Sequence, residues 1–380
     1  MSRSISAGPS VALLHDWLNQ YGGAERVLEH LVSMFPQAPV YTSIYWRDGM
    51  PPAYGAWDIR PTWMDRLPGI HRRHQAYFPL YALAFSRMDL SHSAYDLVLS
   101  NKSGFCHGVR TGEVPHLCYC LAPTRYVWQF EHYAAREQLP SAVRLLLGPM
   151  VKLLRRWDYD AAQRDNLHFI AISREIQERI TQFYGRSSTI IHPPVDVDRF
   201  APLPDASRYE RGDYYLVVSR LVPYKRIDLA VRAFTRLGLP LLIAGEGRDR
   251  PALEAIAGPT VRFLGRVSEE ALGALLAGCR AFVFPGHEDF GIAPVEAQAA
   301  GRPVIAYRAG GALDTVIEGV TGCFFDEPLV ESLMEAVVSF DADGVDPMAL
   351  RVHAEQFSVE RFRARLMDQV RAVLDGTPRG

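Results

Sequence analysis

The sequence predicts an α/β protein with two doubly wound parallel sheets. Short apolar runs of strand length alternate with amphipathic helices along both halves of the chain. Residues 196–213, rich in proline, charge and polar side chains, separate the halves. The 380 residues also exceed the size at which one core normally stops growing. We therefore predict two Rossmann-like domains facing across a cleft, residues 1–198 and 199–355, and a final helix within 356–380 that crosses back to the first domain.

Composition and charge exclude several classes of protein. Hydrophobic residues make up 48% and charged residues 22%, as in ordinary globular proteins. The formal net charge of −2 gives no sign of nucleic-acid binding. No apolar run is long enough to span a bilayer, and residues 1–10 lack the apolar core of a signal peptide. The five cysteines show no Cys-x-x-Cys spacing, so we expect reduced, buried thiols and a cytoplasmic protein.

The first half opens with a strand at 11–14, a turn containing Gly22 and Gly23, and a helix whose apolar residues recur with a period of 3.6. A strand, a glycine turn and a helix N-terminus form an anion cradle of the nucleotide-binding kind, although an ordinary tight turn has the same pattern. Further strands are predicted at 39–45, 97–100, 117–121 and 169–173, with a helix at 174–184.

Two segments of the first half, 60–90 and 145–156, interleave cations with aromatic and aliphatic residues. This pattern suits helices that lie on an anionic membrane surface, with Arg72, Arg73, Arg155 and Arg156 as the contacting charges. Helices that cover a sheet and keep their cations in water have the same composition. Both interpretations stay open.

Two loops of the first half carry candidate polar residues. His107 follows the strand at 97–100, at the edge where open α/β sheets place their ligands. It could donate a hydrogen bond to a ligand, or be satisfied by the backbone of its own loop. Residues 123–128 form an aromatic loop with one cation, Arg125.

The second half repeats the alternation of strands and helices. The predicted strands are 214–218, 241–244, 261–264, 281–284 and 303–306. Glycine-containing loops follow the second and the fifth of these, at 245–247 and 310–311.

The loop and helix after residues 281–284 carry the strongest functional pattern. We expect the helix to start near Val295, with Pro294 suiting its first turn and Gly291 letting the backbone approach a ligand. Amides at 290–293 and the helix dipole would face an anion or sugar hydroxyls, and Glu288 and Glu296 would accept hydrogen bonds from vicinal hydroxyls. This combination suits a nucleotide sugar. A solvated loop glutamate and a favourable charge in the first helical turn are the plain structural alternative.

Three features of the second half, in order, resemble the donor domain of glycosyltransferase family 4. They are Ser-Arg-Leu at 219–221 with Lys225, Gly-Glu-Gly at 245–247, and Glu288 and Glu296 enclosing a Phe-Gly pair. The first half resembles a mannosyltransferase-like branch that acts on bacterial cell-surface polysaccharides, through residues 15–18, the glycine pair at 22–23 and Arg-Tyr-Val-Trp at 125–128. The resemblance covers nearly the whole chain. It implies the two-domain GT-B fold and sugar transfer from a nucleotide diphosphate donor, with retention of configuration, no cofactor and no obligatory metal.

The resemblance also implies roles for particular residues. Arg220 and Lys225 would bind the diphosphate, where negative charge grows as the glycosidic bond breaks. Glu296 would hold the ribose and Glu288 the donor sugar. The remaining donor-binding residues are the amides near Phe290, Gly291 and Ile292 for the sugar, Arg266 and Val267 for the base, and Gly22 and Gly23, which would approach the diphosphate on closure.

One position departs from the branch. Relatives often have a histidine directly after the strand that ends near residue 120, and this chain has Leu121. We take His107 as the substitute catalytic residue, with Asp16 and Arg125 on the acceptor side.

The branch favours GDP-mannose or a related GDP-sugar as donor. The expected acceptor is a saccharide or a polyprenyl-diphosphate-linked saccharide at the inner face of the cell membrane, where the protein would be peripheral. A non-catalytic sugar-nucleotide-binding scaffold stays open because of Leu121. A family 4 enzyme that uses a UDP-sugar also stays open, and an epimerase or phosphorylase is a weaker alternative.

Overall fold

The computed structural model describes residues 8–131, 141–200 and 212–376. The chain forms two compact units. The first contains Met1–Ile191 and Arg363–Gly380, and the second contains His192–Phe362. Of the predicted linker at 196–213, residues 196–200, with a 3-10 turn at Asp198–Phe200, and residues 212–213 are described, and residues 201–211 lie outside the described residues.

The first unit is built on a seven-stranded parallel sheet in the order β3-β2-β1-β4-β5-β6-β7. The order reverses between β1 and β4, which makes the sheet doubly wound. Its strands are β1 (Val11–His15), β2 (Val40–Thr42), β3 (Ile59–Pro61), β4 (Leu97–Lys102), β5 (His116–Cys120), β6 (Leu167–Ala171) and β7 (Ser188–Ile190). Its helices are Gly23–Met34, Ile70–Arg73, Phe78–Arg87, Arg125–Trp128, Ser141–Ala162 and Arg174–Tyr184.

The central strands of this sheet match the predicted apolar runs, because both of their faces are buried. The edge strands β3 and β7 were not predicted. Each has three residues that are only partly buried or exposed, so no apolar run announces it.

The second unit has a six-stranded parallel sheet in the order β10-β9-β8-β11-β12-β13. Its strands are β8 (Tyr215–Val218), β9 (Leu241–Ala244), β10 (Val261–Gly265), β11 (Ala281–Phe284), β12 (Val304–Tyr307) and β13 (Gly322–Phe325). Its helices are Ile227–Leu237, Arg250–Glu254, Glu269–Gly278, Ile292–Ala299, Ala312–Thr315, Val330–Ser339 and Pro347–Ala354. A last helix, Val359–Leu374, starts in this unit and continues in the first.

Two features complete the fold. All five cysteines are free thiols, and four of them are buried. None of the helices in the described part of the chain combines the length and the apolar character needed to cross a bilayer.

Candidate active site

The second unit brings two predicted charges together at the point where its strand order reverses. Strands β8 and β11 are neighbours in the sheet, and the loops at their carboxyl ends meet there, which is where open α/β sheets bind ligands. Lys225, after β8, forms a direct ion pair through Nζ with Oε2 of Glu288, after β11. The two side chains are 14% and 19% exposed, so the pair borders solvent and is largely shielded from it.

Small residues let these two loops approach. A Cβ at Gly286 would lie 2.8 Å from the carbonyl oxygen of Lys225, so only glycine lets the backbones approach this closely. Directly after Lys225, Arg226 has a φ of 50°, and among the described residues no other non-glycine residue has a positive φ. Its guanidinium donates to Asp228 Oδ1 at 3.1 Å. Backbone strain of this kind concentrates at functional sites, and sequence reasoning missed it.

Tyr224 braces both predicted cations. Its hydroxyl accepts a hydrogen bond from Nη2 of Arg220 at 3.0 Å. The ammonium of Lys225 lies 5.3 Å from the centre of its ring, which is within cation–π range. Arg220 itself is exposed at the mouth of the site. Tyr224 stood between the two cations in the sequence, but nothing in the pattern marked it as their support.

The predicted helix N-terminus lies beside the ion pair. The helix Ile292–Ala299 begins three residues before the expected Val295, because Gly291 adopts a φ of 91° and turns the chain into the helix. A Cβ on Gly291 would lie 2.7 Å from the ring of Phe284. Gly291 offers no side-chain cap to the amides of the first turn. Helix termini of this kind favour anions and hydroxyl oxygens.

The predicted residues on both sides of this turn are buried to different extents. Phe290 is buried, and its ring stacks on His192 with a centroid separation of 5.5 Å, so only its backbone can serve a ligand. Glu296 is 8% exposed on the second turn of the helix. Ile292 is partly exposed.

The glycine pair at 310–311 holds the backbone of this loop. The amide of Gly311 donates to the carbonyl of Glu288 at 2.8 Å. A Cβ on Gly311 would lie 2.1 Å from Cα of Phe290, and one on Gly310 would lie 2.2 Å from the carbonyl oxygen of Glu288. The loop after β12 therefore fixes Glu288, a function that the sequence pattern did not reveal.

The Gly-Glu-Gly segment at 245–247 also allows a close approach between two loop backbones. A Cβ on Gly247 would lie 2.0 Å from the carbonyl oxygen of Leu221, whose amide donates to Glu246 O at 2.9 Å. The segment thus places the loop after β9 against the loop that carries Arg220. Farther along the same sheet edge, Arg266 and Val267 follow β10, the first exposed and the second partly exposed.

In the first unit, the carboxylate of Asp16, which was predicted on the acceptor side, is turned into the fold. It is fully buried, and its carboxylate accepts hydrogen bonds from the amides of Ser103 at 2.7 Å, Gly104 at 2.6 Å and Cys106 at 2.8 Å. Its oxygens are therefore committed to the backbone of the loop after β4. Asp16 joins the loops after β1 and β4 at the sheet's reversal point, and this structural contact explains its position.

His107 is also not placed for contact with a ligand. The ring is fully buried among Trp157, Phe169 and Tyr184, at centroid separations of 6.0, 6.5 and 6.0 Å. Its Nε2 lies 3.3 Å from the carbonyl oxygen of Asp158. Burial, together with the charge of Lys102, lowers its pKa well below the ordinary value, so the ring is neutral near pH 7. Among the described residues Nδ1 has no hydrogen-bond partner, and Nε2 faces Asp158 rather than the loop of His107, so the alternative of a ring satisfied by its own loop is not observed either.

Asp158 organises the short helix that bears Arg125. It is fully buried, and its carboxylate accepts hydrogen bonds from the Thr124 hydroxyl at 2.8 Å and the Trp128 indole at 2.7 Å, which flank Arg125 on both sides. Burial alone would lower the pKa of nearby Lys102, but the charge of Asp158 and smaller contributions from neighbouring groups together raise it above the ordinary value. Arg125 itself is partly exposed.

The glycine turn of the first unit lies at the N-terminus of a helix, as the sequence predicts. Gly22 caps the helix Gly23–Met34 in an extended conformation, and Gly23 is exposed. Glu25 in the first turn is buried, and its Oε1 lies 3.3 Å from Nε2 of His15. This carboxylate therefore already occupies the first turn of the helix. Leu121 directly follows β5 and is partly exposed.

Each of the two units matches a family of known proteins. A family model described as Glycosyltransferase Family 4 matches residues 21–199, and one described as Glycosyl transferases group 1 matches residues 203–356. The structure of Anabaena Alr3699/HepE in complex with UDP and glucose superposes with a TM-score of 0.71 at 18% identity, over 96% of this chain and 100% of that one. At this identity the likeness concerns the fold.

Curated relatives match more closely in sequence. A GDP-mannose-dependent alpha-(1-6)-phosphatidylinositol monomannoside mannosyltransferase of Mycolicibacterium smegmatis is 34% identical over 51% of this chain, and the match spans 58% of its own length. The corresponding enzyme of Corynebacterium glutamicum, described as acting on the monoacylated form, is 31% identical over 59% of this chain and 68% of its own length. With two Rossmann-like units and these matches, the chain belongs to glycosyltransferase family 4 and has the α/β GT-B fold.

Proposed function

We propose that the chain transfers a hexose, with mannose favoured, from a GDP-linked donor to a saccharide or lipid-linked acceptor in surface polysaccharide synthesis. The observation that carries the proposal is the Lys225–Glu288 pair beside a helix N-terminus whose N-cap residue, Gly291, has no side chain, at the sheet's reversal point. The relatives described as GDP-mannose-dependent support the choice of donor, and those named for phosphatidylinositol mannosides support a lipid-linked acceptor.

The cations would act on the diphosphate. Negative charge increases on the phosphate oxygen that is bonded to the sugar as that bond breaks, so fixed cations stabilise the transition state more than the ground state. Arg220 and Lys225 are braced by one tyrosine, Tyr224, so little reorganisation is needed when charge develops. This arrangement supports neutralisation by side chains without an obligatory metal.

The carboxylates would hold hydroxyl groups. Glu288 lies in direct contact with Lys225, and therefore next to the diphosphate, which suits a contact with the donor sugar. Glu296, one turn into the helix and nearly buried, suits the ribose. The amides near Phe290, Gly291 and Ile292 would add donors to the sugar, and Arg266 and Val267 would lie along the base.

We propose a front-face displacement with retention of configuration. The acceptor oxygen forms a bond to the anomeric carbon while the bond from that carbon to the phosphate oxygen breaks, and the departing phosphate takes the acceptor's proton. No step requires His107 or Asp16, whose side chains are committed to the first unit's interior. Arg125 remains the proposed acceptor-side residue.

The test is release of nucleoside diphosphate from GDP-, UDP-, ADP- and dTDP-linked sugars, with and without a chelator. We expect release from a GDP-sugar, unaffected by the chelator, lost in Lys225→Ala and preserved in Arg232→Ala, an exposed arginine on another helix of the same unit. Release from a UDP-sugar alone would overturn the choice of donor. Nucleotide binding without turnover, even with a membrane extract as acceptor source, would favour the non-catalytic scaffold.

A further inference from the structure

The helix Ser141–Ala162 has two apolar faces, and only one of them is packed against the first unit. The inner face includes the buried side chains of Val151 and Leu154, and the buried carboxylate of Asp158 lies on the same side. The other face exposes Leu145, Leu146 and Leu153 at 81%, 78% and 69% of their surface. Leucines so completely exposed on one side of an ordered helix mark a surface that meets another apolar phase.

We infer that this outer face docks on the surface of an anionic bilayer. Lys152 and Arg156 are exposed and recur with the leucines at helical spacing, so cations and leucines share one side. One turn beyond, Oδ2 of Asp160 lies 3.7 Å from Nε of Arg156, an ion pair on the exposed surface of the helix. An apolar stripe flanked by cations is complementary to acyl chains beneath anionic headgroups, whereas a protein partner would gain nothing from cations placed among leucines unless it carried matching acids.

The structure thereby changes which charges would contact lipid. Arg155 is not available, because its Nη2 donates to the carbonyl of Val127 at 2.8 Å and its guanidinium lies 5.5 Å from the ring centre of Trp128. Arg72 lies 5.8 Å from the ring centre of Trp46. Of the four arginines considered from the sequence, Arg156 is the one on the leucine face.

The same helix also reaches the acceptor-side loop from its inner face. Asp158 holds Thr124 and Trp128, and Arg155 holds Val127, so the helix carries the lipid-facing leucines on one side and supports the turn around Arg125 on the other. This inference deepens the proposed function, on which its biological meaning rests, because a lipid-linked acceptor would be presented at the surface where the helix docks.

The test is sedimentation of the full chain with vesicles of phosphatidylglycerol and phosphatidylcholine, against vesicles of phosphatidylcholine alone. We expect binding to the anionic vesicles that falls roughly tenfold or more in Leu145→Ser/Leu146→Ser/Leu153→Ser, because the exposed apolar surface is lost. Lys152→Gln/Arg156→Gln should weaken binding by about 25-fold, since each cation near an anionic surface contributes about fivefold.

Matched controls lie on the second unit. Val338, Met348 and Val352 are similarly exposed, at 72%, 65% and 60%, and their replacement by serine should leave vesicle binding unchanged. A thermal unfolding transition measured for each variant tests whether that variant is folded. Donor hydrolysis by the leucine variant should be unchanged, so the membrane inference and the transferase proposal can fail separately.

Three results would overturn the inference. Wild-type chain that stays in the supernatant with anionic vesicles would do so, as would a folded leucine variant that binds like wild type. A wild-type dimer that becomes monomeric in the leucine variant, without any vesicle binding, would assign the face to a second copy instead.

Discussion

Replacement of Glu288 by alanine should separate nucleotide binding from sugar transfer. In the free protein the carboxylate pairs with Lys225 in a largely shielded position. A hydrogen bond between charged groups contributes about 1.5–3 kcal/mol. A diphosphate that recruits Lys225 has to share or break this pair, so part of that free energy opposes binding.

We expect Glu288→Ala to preserve or increase the affinity for GDP while it lowers turnover. Glu288→Ala should leave the Kd for GDP unchanged or make it up to about tenfold tighter, because Lys225 is released. Turnover should fall by about 10²–10³-fold, because the carboxylate that addresses the donor sugar is lost. Calorimetric titration with GDP gives the first value, and release of GDP from the sugar nucleotide gives the second.

Two further variants check the reasoning. Lys225→Ala should weaken GDP binding and slow turnover together, because its ammonium acts on the diphosphate in both states. In the double variant the two effects on GDP binding should not add, since the side chains are in contact. Equal losses of binding and turnover in Glu288→Ala would refute the assignment of Glu288 to the sugar.

Asp16→Ala should lower the free energy of unfolding by about 3–5 kcal/mol in denaturant titrations, because three buried amides lose a charged acceptor; a loss below 1 kcal/mol would show that Asp16 does not stabilise these loops. Burial lowers the pKa of His107 and of His116, so both take up protons on unfolding. Stability should fall as pH drops below about 6.5, and these two rings should contribute a slope approaching ~2.7 kcal/mol per pH unit. Unfolding at pH 7.5 and 5.5 measures this, and an unaltered slope in His116→Gln would argue against it. Gly311→Ala should reduce turnover at least about tenfold by displacing the loop of the ion pair, whereas Gly273→Ala, with open space around its Cβ, should stabilise its helix by up to about 1 kcal/mol; similar activity in both would reject the packing argument.

Some of these properties were readable from the sequence alone. Apolar runs that alternate with amphipathic helices determine a doubly wound α/β architecture, because strands buried on both faces must be apolar throughout. The same reasoning identified Glu288, which follows a predicted strand at the edge where ligands bind, whereas Lys225 was assigned through the resemblance to glycosyltransferase family 4. Pro294 falls in the first turn of its helix, as its lost amide requires.

The direction of the polar side chains was decided by tertiary structure. Asp16 and His107 also follow predicted strands, yet both point inward, where the amides at 103–106 and an aromatic cage hold them. Local pattern cannot distinguish these cases, because the partners of a buried polar group lie far away in the chain. For the same reason, the Lys225–Glu288 pair and its support by Gly311 follow from strand order and from close backbone approach between distant loops, which no single segment encodes.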